Sequence, residues 1–244
     1  MANRQRAEAR RKAQTKARSG DGVANGKVWM WIALGVVIML GGGILFAATR
    51  GDDSGSSSSD GTSVDGPTTT AWDTQTITVT GDPLPARDSA ADVDAAVGMT
   101  APTFSGTTYA GQALTVDATQ GPYMLVFLAH WCPHCNAEVP RLNTWKHSGA
   151  VPSNLKVYGI TTATDASQVN YPPGKWIGDK GWEWPALPDQ SEGVRAAGKI
   201  ATSFGADGWP YIVIVGADGK VKARASGEVE IKDLQAMVDA AVKA

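Results

Sequence analysis

The two cysteines of this 244-residue chain follow directly on an apolar run, and this arrangement strongly constrains the fold. Residues 123–131 read YMLVFLAHW, and Cys132, Pro133, His134 and Cys135 come next. A continuous apolar run that follows a Gly-Pro pair is typical of a strand buried on both faces of a sheet. Proline suits the first turn of a helix, where its missing N–H needs no partner. The pattern therefore predicts a buried strand that delivers both thiols to the start of a helix.

A thiol at the start of a helix is readily ionised. The first backbone N–H groups of a helix have no partner within it, and the helix dipole is positive there, so the thiolate of Cys132 is stabilised. Cys135 lies on the same helical face, within reach of a disulfide bond. A protonated His134 would further stabilise the reduced form and make the disulfide a better oxidant. The spacing predicts a redox-active disulfide between Cys132 and Cys135.

Other uses of a Cys-x-x-Cys pair fit the sequence less well. A structural zinc site needs four ligands, and the chain has three histidines and no second cysteine pair, so a zinc ribbon is excluded. Covalent haem attachment needs histidine directly after the second cysteine, where this chain has Asn136. We therefore predict no cofactor and no metal. The alternative is a copper-binding module that uses the same two thiolates and a histidine, because soft thiolates select Cu(I).

The segments that follow alternate between strand and helix patterns. Residues 155–163 form a second apolar run, and Asp218-Gly219 separates two further runs as in a β-hairpin. A shorter strand is indicated near residues 76–80. A terminal helix is indicated by apolar residues at helical spacing, namely Ile231, Leu234, Val238 and Ala241. This order predicts an α/β domain with a mixed sheet flanked by helices.

The N-terminal part has the composition of a membrane anchor. Residues 28–48 carry no charge, and as a helix these 21 residues would span about 31 Å, close to the hydrocarbon thickness of a bilayer. Residues 1–27 hold eight basic and two acidic side chains. Basic segments next to a membrane span are retained on the cytoplasmic side. We expect a single-pass cell-membrane protein with a cytoplasmic N-terminus and an extracytoplasmic redox domain. A cleaved signal peptide is the alternative for the apolar segment.

Composition also suggests the remaining boundaries. Residues 49–75 are rich in Ser and Gly and indicate a flexible linker. Residues 76–97 are expected to hold a short strand and a connecting segment, and residues 98–244 one domain of ordinary size. The basic tail next to the span is expected to contact membrane lipid. Its position explains its charge, so we predict no nucleic-acid partner.

The motif and its surroundings resemble a known family. WCPHC after an apolar strand resembles the active site of the thioredoxin superfamily. APTF at residues 101–104, VFLAHWCPHCNAEVPRL and a late WP resemble the membrane-anchored TlpA/ResA-like thiol–disulfide oxidoreductases, over about residues 98–244. The resemblance implies a thioredoxin-like fold and an enzyme that exchanges disulfides with protein thiols and disulfides. It also implies a membrane redox partner that recycles the thiol pair, and among the reductases a role in cytochrome c biogenesis.

The resemblance assigns roles to individual residues. Cys132 corresponds to the exposed nucleophile and Cys135 to the buried resolving thiol. Glu138 corresponds to an acid that takes or gives the proton of that thiol, although it could be an ordinary solvated carboxylate. Pro140 corresponds to a proline that kinks the active-site helix, and Pro210 to a cis-proline that faces the disulfide. The supporting residues are Trp131, which is expected to pack beside the motif, Pro133, His134 and Trp209.

The chain also departs from related patterns. Val126 stands where classical thioredoxins have a buried acid, which favours Glu138 for proton handling. Trp209 could shape substrate choice or simply cover the site. A peroxidase of related fold would need Thr three residues before the cysteine, where this chain has Ala129. The Trp- and Pro-rich insert at residues 171–189 could form a partner-binding rim or local core. The oxidising or reducing direction stays open, because Pro133-His134 is typical of oxidants and Glu138 of reductases.

Overall fold

Eight strands and four α-helices make up the structure, a computed structural model that describes residues 73–243. The strands are β1 (Thr78–Thr80), β2 (Thr103–Thr107), β3 (Ala113–Val116), β4 (Tyr123–Leu128), β5 (Lys156–Thr161), β6 (Ala186–Pro188), β7 (Tyr211–Val215) and β8 (Val221–Ser226). The helices are α1 (Pro133–His147), α2 (Pro173–Asp179), α3 (Lys199–Ser203) and α4 (Ile231–Lys243), with a 3₁₀ turn at Ala118–Gln120.

The central sheet has five strands in the order β6-β5-β4-β7-β8. β4 pairs parallel to β5 and antiparallel to β7, β5 pairs parallel to β6, and β7 and β8 are antiparallel. A second, antiparallel sheet has the order β1-β2-β3. The predicted α/β class with a mixed sheet and flanking helices is therefore confirmed.

β4 lies at the middle of the central sheet and is buried along its whole length. Side chains of a strand alternate between its two faces, so each face of β4 enters a different core. Met124, Val126 and Leu128 belong to the core that contains α1 and α4. On the opposite face, Leu125 and Phe127 belong to the core that contains the β1–β3 sheet and α3. This burial on both faces explains the uninterrupted apolar run in the sequence.

The predicted elements are present, with shifted ends. The strand predicted for residues 123–131 ends at Leu128, because the chain then turns and the Cys132 N–H donates to the Ala129 carbonyl at 3.0 Å. The predicted hairpin joins β7 to β8, and Gly219 takes the positive φ of 73° that its turn requires. In α4, Leu234, Val238 and Ala241 are buried as predicted, whereas Ile231 is half-buried.

Part of the predicted organisation lies outside the described residues. This applies to the basic tail at 1–27, the transmembrane helix at 28–48 and the linker up to residue 72. Within residues 73–243, none of the helices has both the length and the apolar composition needed to cross a membrane. The last residues of the predicted linker contact the domain, since the Gln75 side-chain amide donates to the carbonyls of Thr107 and Pro188.

An ion pair attaches the segment before β2 to the central sheet. The fully buried Arg224 guanidinium, on β8, donates through Nε to the Asp94 carboxylate at 2.8 Å and through Nη1 to the Pro85 carbonyl at 2.8 Å. Ile77 and Leu84 of the same segment are also buried. Residues 77–96 therefore contribute to the core that contains the β1–β3 sheet and α3.

We expect Asp94→Ala to lower the free energy of unfolding by about 3 kcal/mol, because it leaves the buried Arg224 charge without its carboxylate partner. Urea unfolding followed by circular dichroism measures this change. Asp179→Ala removes one partner of the exposed Lys175–Asp179 pair on α2 and should leave stability nearly unchanged. Equal effects of the two substitutions would contradict a structural role for the Arg224–Asp94 pair.

Candidate functional site

The two thiols lie at the N-terminus of α1, where β4 delivers the chain. Cys132 is the N-cap residue, Pro133 follows as the first helical residue, and Cys135 lies in the first turn. Both cysteines are free thiols, Cys132 being 6% exposed and Cys135 fully buried. The nucleophile that the resemblance describes as exposed is thus largely covered. The structure places the thiols at the helix start, as the sequence predicts.

The environment of Cys132 favours its ionised form. Its pKa is lowered to about 6, first by a hydrogen bond from the Cys135 thiol and then by the backbone N–H groups of Cys135 and His134. The His134 charge adds to this effect, while burial opposes it. Free amides at a helix N-terminus are the groups expected to stabilise a thiolate. At neutral pH Cys132 is therefore largely a thiolate.

Cys135 has the opposite tendency. Burial and the neighbouring Cys132 sulfur raise the pKa of its thiol far above the usual range, although the Ala129 backbone N–H donates to its Sγ at 3.3 Å. The Glu138 carboxylate raises that pKa further. The pair thus consists of one ionised and one protonated sulfur.

His134 is exposed beside the thiol pair. Its Nδ1 lies 2.7 Å from Oε1 of Glu228, in the loop after β8, and this hydrogen bond raises the pKa of the imidazole. The Cys132 thiolate also raises it. The structure therefore favours the protonated His134 that the sequence suggested as a neighbour of the thiolate.

Glu138 is fully buried, which excludes the alternative of a solvated carboxylate. Burial raises its pKa to about 7, against the lowering effects of the Arg141 guanidinium and the Val229 backbone. Pro140 lies inside α1 two residues later, where it removes one helical hydrogen bond. A carboxyl that titrates near neutrality, close enough to raise the pKa of Cys135, has the properties of a proton acceptor for that thiol.

The predicted proline loop lies opposite Cys132. The Trp209–Pro210 peptide bond is cis, as expected, and the Cys132 Sγ lies 3.5 Å from the Trp209 carbonyl oxygen, to which it can donate only when it is protonated. The half-buried Trp209 ring packs against both cores of the domain. The loop therefore forms one wall of the candidate site, next to the reactive sulfur.

Trp131 is a packing residue, as predicted. Its indole Nε1 donates to the Ala163 carbonyl at 2.7 Å, and the Arg195 guanidinium stacks 4.5 Å from its ring centroid. Arg195 also pairs with Asp165 at 2.8 Å. These contacts fix the turn that precedes Cys132.

Two residues that shape this turn were not identified from the sequence. Asn136 donates from Nδ2 to the carbonyls of Cys132 at 3.0 Å and His130 at 3.1 Å. His130 is fully buried, and its ring bridges the Val169 carbonyl and the Asp165 backbone N–H. Burial lowers the pKa of its imidazole, so the neutral form is favoured. No sequence motif marks this hydrogen-bonding role.

Arg141 and Glu228 were also missed. Arg141 Nη1 lies 3.2 Å from an oxygen of Glu138 and 3.2 Å from one of Glu228. The i, i+3 spacing of Glu138 and Arg141 on α1 is a signal that could have identified Arg141. Glu228 is remote in sequence and gives no such signal.

The Trp-rich insert is mainly local core. Trp176, Ile177 and Trp182 are buried against the α1 side of the sheet. Trp184 is half-buried and stacks edge-on with Trp182, and Lys146 lies 4.9 Å from its ring centroid. A cavity of about 370 Å³ opens between these tryptophans and residues 108–112.

The copper-binding alternative requires a histidine close to the two thiolates. Residues 73–243 contain no group of three or more His, Cys, Asp or Glu side chains arranged to hold a metal ion. Both ring nitrogens of His130 already have hydrogen-bond partners, and His134 Nδ1 contacts Glu228.

Comparison with solved structures finds several similar proteins. A candidate protein disulfide isomerase from Bacteroides thetaiotaomicron aligns with a TM-score of 0.50 and 19% identity, over 68% of this chain and 96% of its own. A thioredoxin-family thiol:disulfide interchange protein from Chlorobium tepidum gives 0.45 and 21%, over 66% and 98%. A secreted disulfide oxidoreductase from Mycobacterium tuberculosis gives 0.44 and 22%, over 56% and 94%. With its mixed sheet and flanking helices, the fold is thioredoxin-like.

Sequence comparison adds the family. No curated protein sequence matches the chain with significance. Residues 97–224 match the AhpC/TSA family, and they include β4, both cysteines and the loop at Pro210. Because this match spans more than half of the chain, the chain belongs to the AhpC/TSA family.

Proposed function

We propose that this protein is a membrane-tethered, extracytoplasmic thiol–disulfide oxidoreductase that exchanges disulfides with protein substrates through Cys132 and Cys135. The observation that carries the proposal is the asymmetry of the two sulfurs at one helix N-terminus. Cys132, with a pKa lowered to about 6, faces the Trp209 carbonyl, while the buried Cys135 keeps its proton. A thiolate attacks disulfides, and a neighbouring thiol resolves the resulting mixed disulfide.

The chemistry proceeds in two exchange steps. The Cys132 thiolate attacks one sulfur of a substrate disulfide, the substrate S–S bond breaks, and its other sulfur leaves as a thiolate. The Cys135 proton then passes to the Glu138 carboxylate, and the Cys135 sulfur attacks Cys132. The Cys132–Cys135 bond forms as the second substrate thiolate leaves. The substrate gains two electrons, and the thiol pair loses them. A membrane dithiol partner would return the pair to the reduced state.

Burial explains why Glu138 suits this role. A carboxyl with a pKa of about 7 is partly ionised at neutral pH, so it can accept a proton and later release it. An exposed carboxylate with an ordinary pKa near 4 would be a much weaker base. Val126, on β4, provides no acid, which favours Glu138 for this task.

We propose that the protein reduces its substrates, because the pKa of Cys132 is lowered less than that of the same cysteine in a strong oxidant. Stabilising the thiolate stabilises the reduced pair and makes the disulfide more oxidising. The corresponding cysteine has a pKa of about 7 in thioredoxin and about 3.5 in the strong oxidant DsbA. The value of about 6 for Cys132 lies closer to thioredoxin.

The location rests on the sequence of the first 48 residues. The uncharged segment 28–48 would anchor the chain, and the basic residues of segment 1–27 would stay in the cytoplasm and contact lipid. The redox domain would then lie outside, where disulfides persist. Epitope tags at the two ends of the full chain, tested for protease protection in intact cells, check this orientation.

Substituting the cysteines separately tests the roles of the two sulfurs. Cys132→Ser should reduce exchange with a peptide disulfide to the uncatalysed rate, because no nucleophile remains. Cys135→Ser should instead accumulate a mixed disulfide between Cys132 and the peptide, detectable by mass spectrometry. Exchange that persists in Cys132→Ser would contradict the proposed function.

The pH dependence of alkylation tests the ionisation of Cys132. In the reduced full-length protein, its rate of reaction with iodoacetamide should rise with pH around a midpoint near 6, because only the thiolate reacts. His134→Gln removes a positive charge and should move the midpoint upward. His147→Gln, at the other end of α1, serves as the matched control and should leave it in place. An unchanged midpoint in His134→Gln would exclude an influence of His134 on the thiolate.

Equilibration with glutathione tests the direction. We expect a reduction potential closer to that of thioredoxin, about −270 mV, than to that of DsbA, about −120 mV. The fraction of alkylated Cys132 at each glutathione ratio gives the potential. A value close to that of DsbA would reverse the direction and make the protein a disulfide donor.

A further inference from the structure

The Arg141 guanidinium lies between the carboxylates of Glu138 and Glu228. Glu138 raises the pKa of Cys135, whereas Glu228 contacts His134, near Cys132. Its Nη1 is 3.2 Å from Oε2 of the buried Glu138 and 3.2 Å from Oε2 of Glu228. Its Nη2 donates to the Val229 carbonyl at 2.7 Å and lies 3.6 Å from Oε1 of Glu230. The loop after β8 thus holds the guanidinium against α1.

The contacts continue to the surface beside Cys132. Glu228, which accepts from Arg141 through one oxygen, lies 2.7 Å from His134 Nδ1 through the other. Groups of alternating charge therefore run from His134 through Glu228 and Arg141 to Glu138. His134 lowers the pKa of Cys132, and Glu138 raises that of Cys135, so the series joins the surroundings of both sulfurs.

We propose that Arg141, held by the Val229 carbonyl, is a positioning residue that keeps the buried Glu138 carboxyl ionisable beside Cys135. Arg141 touches neither sulfur and acts only through Glu138. The consequence for exchange rests on the proposed function, because ionised Glu138 is the form that can take the Cys135 proton.

The physical reason is the cost of a buried charge. A carboxylate without an opposite charge in an apolar site takes up a proton and becomes neutral. Burial already raises the pKa of Glu138, and Glu228 and Glu230 raise it further by repulsion. The Arg141 guanidinium and the Val229 backbone act in the opposite direction. Removing Arg141 would therefore leave Glu138 protonated at neutral pH, whereas removing Glu228 would favour its ionisation.

The midpoint of Glu138 titration is expected to move in opposite directions when Arg141 or Glu228 is replaced, and this distinguishes a positioning role of Arg141 from a structural one. In the reduced full-length protein in detergent, the Glu138 carboxyl is titrated by its ¹³C resonance, which is assigned by its loss in Glu138→Gln. Arg141→Gln should raise the midpoint by about one pH unit or more, the size expected for loss of an adjacent opposite charge. Glu228→Gln should lower it. Arg141→Lys, which keeps the charge, should restore part of the wild-type value.

Lys146→Gln is the matched control. Lys146 is a cation of the same helix that lies more than two turns after Glu138 and pairs with Glu183 at 2.9 Å, so its loss should leave the Glu138 midpoint in place. If Arg141→Gln does not fold, Glu228→Gln and Arg141→Lys still test the inference. A Glu138 midpoint that is unmoved, or that moves the same way in Arg141→Gln and Glu228→Gln, overturns it.

The titration uses no substrate, so its outcome is independent of the proposed function. If wild-type protein fails to exchange disulfides but the two variants shift the Glu138 midpoint in opposite directions, the proposed function fails and the role of Arg141 stands. If exchange is present, the pH profile of mixed-disulfide resolution should shift with the Glu138 midpoint in each variant. Unshifted resolution profiles in both variants would overturn the proposed link from Arg141 to Cys135.

Discussion

The backbone amides at the start of α1 and the Cys132 sulfur form the interaction on which the site depends. These N–H groups have no partner within the helix, and a thiolate satisfies them while they stabilise its charge. The interaction requires the helix to begin at one particular residue. That residue is set by β4, which is buried on both faces, and by the turn at Ala129 that ends it. By burying β4 on both faces, the two cores of the domain therefore fix the position of the helix start, and with it the sulfur that can ionise.

The same helix gives the two thiols opposite properties. One turn into α1, Cys135 enters the core on the α1 side of the sheet, where burial disfavours its thiolate. Glu138 enters the same apolar surroundings, and its carboxyl is neutralised more easily for the same reason. Burial thus produces both the protonated thiol and a carboxyl that titrates near neutral pH. The Arg141 guanidinium, 3.2 Å from the Glu138 carboxylate, opposes this effect because an adjacent positive charge favours the ionised form.

Short sequence patterns predicted the features that depend on neighbouring residues alone. The apolar run at residues 123–131, the Asp218-Gly219 turn and the spacing of the cysteines each follow from short-range geometry, and the structure contains all three features. The cis bond before Pro210 came from the family resemblance instead. Glu228 could not be predicted, since it is remote from His134 in the sequence and only the tertiary fold brings the two side chains together. The insert at residues 171–189 stayed ambiguous because tryptophan suits both a buried core and a binding rim.

The insert packs as core, yet it also contacts the turn before the thiols through Asn136. The Trp176 indole donates to Asn136 Oδ1 at 2.9 Å, and Asn136 in turn donates to the Cys132 and His130 carbonyls. Asn170 donates to the same His130 carbonyl at 2.9 Å. These bonds occupy the carbonyls of the turn and hold its backbone in one orientation. Because that orientation directs the first amides of α1 toward the Cys132 sulfur, the packing of Trp176 helps to position the group that ionises.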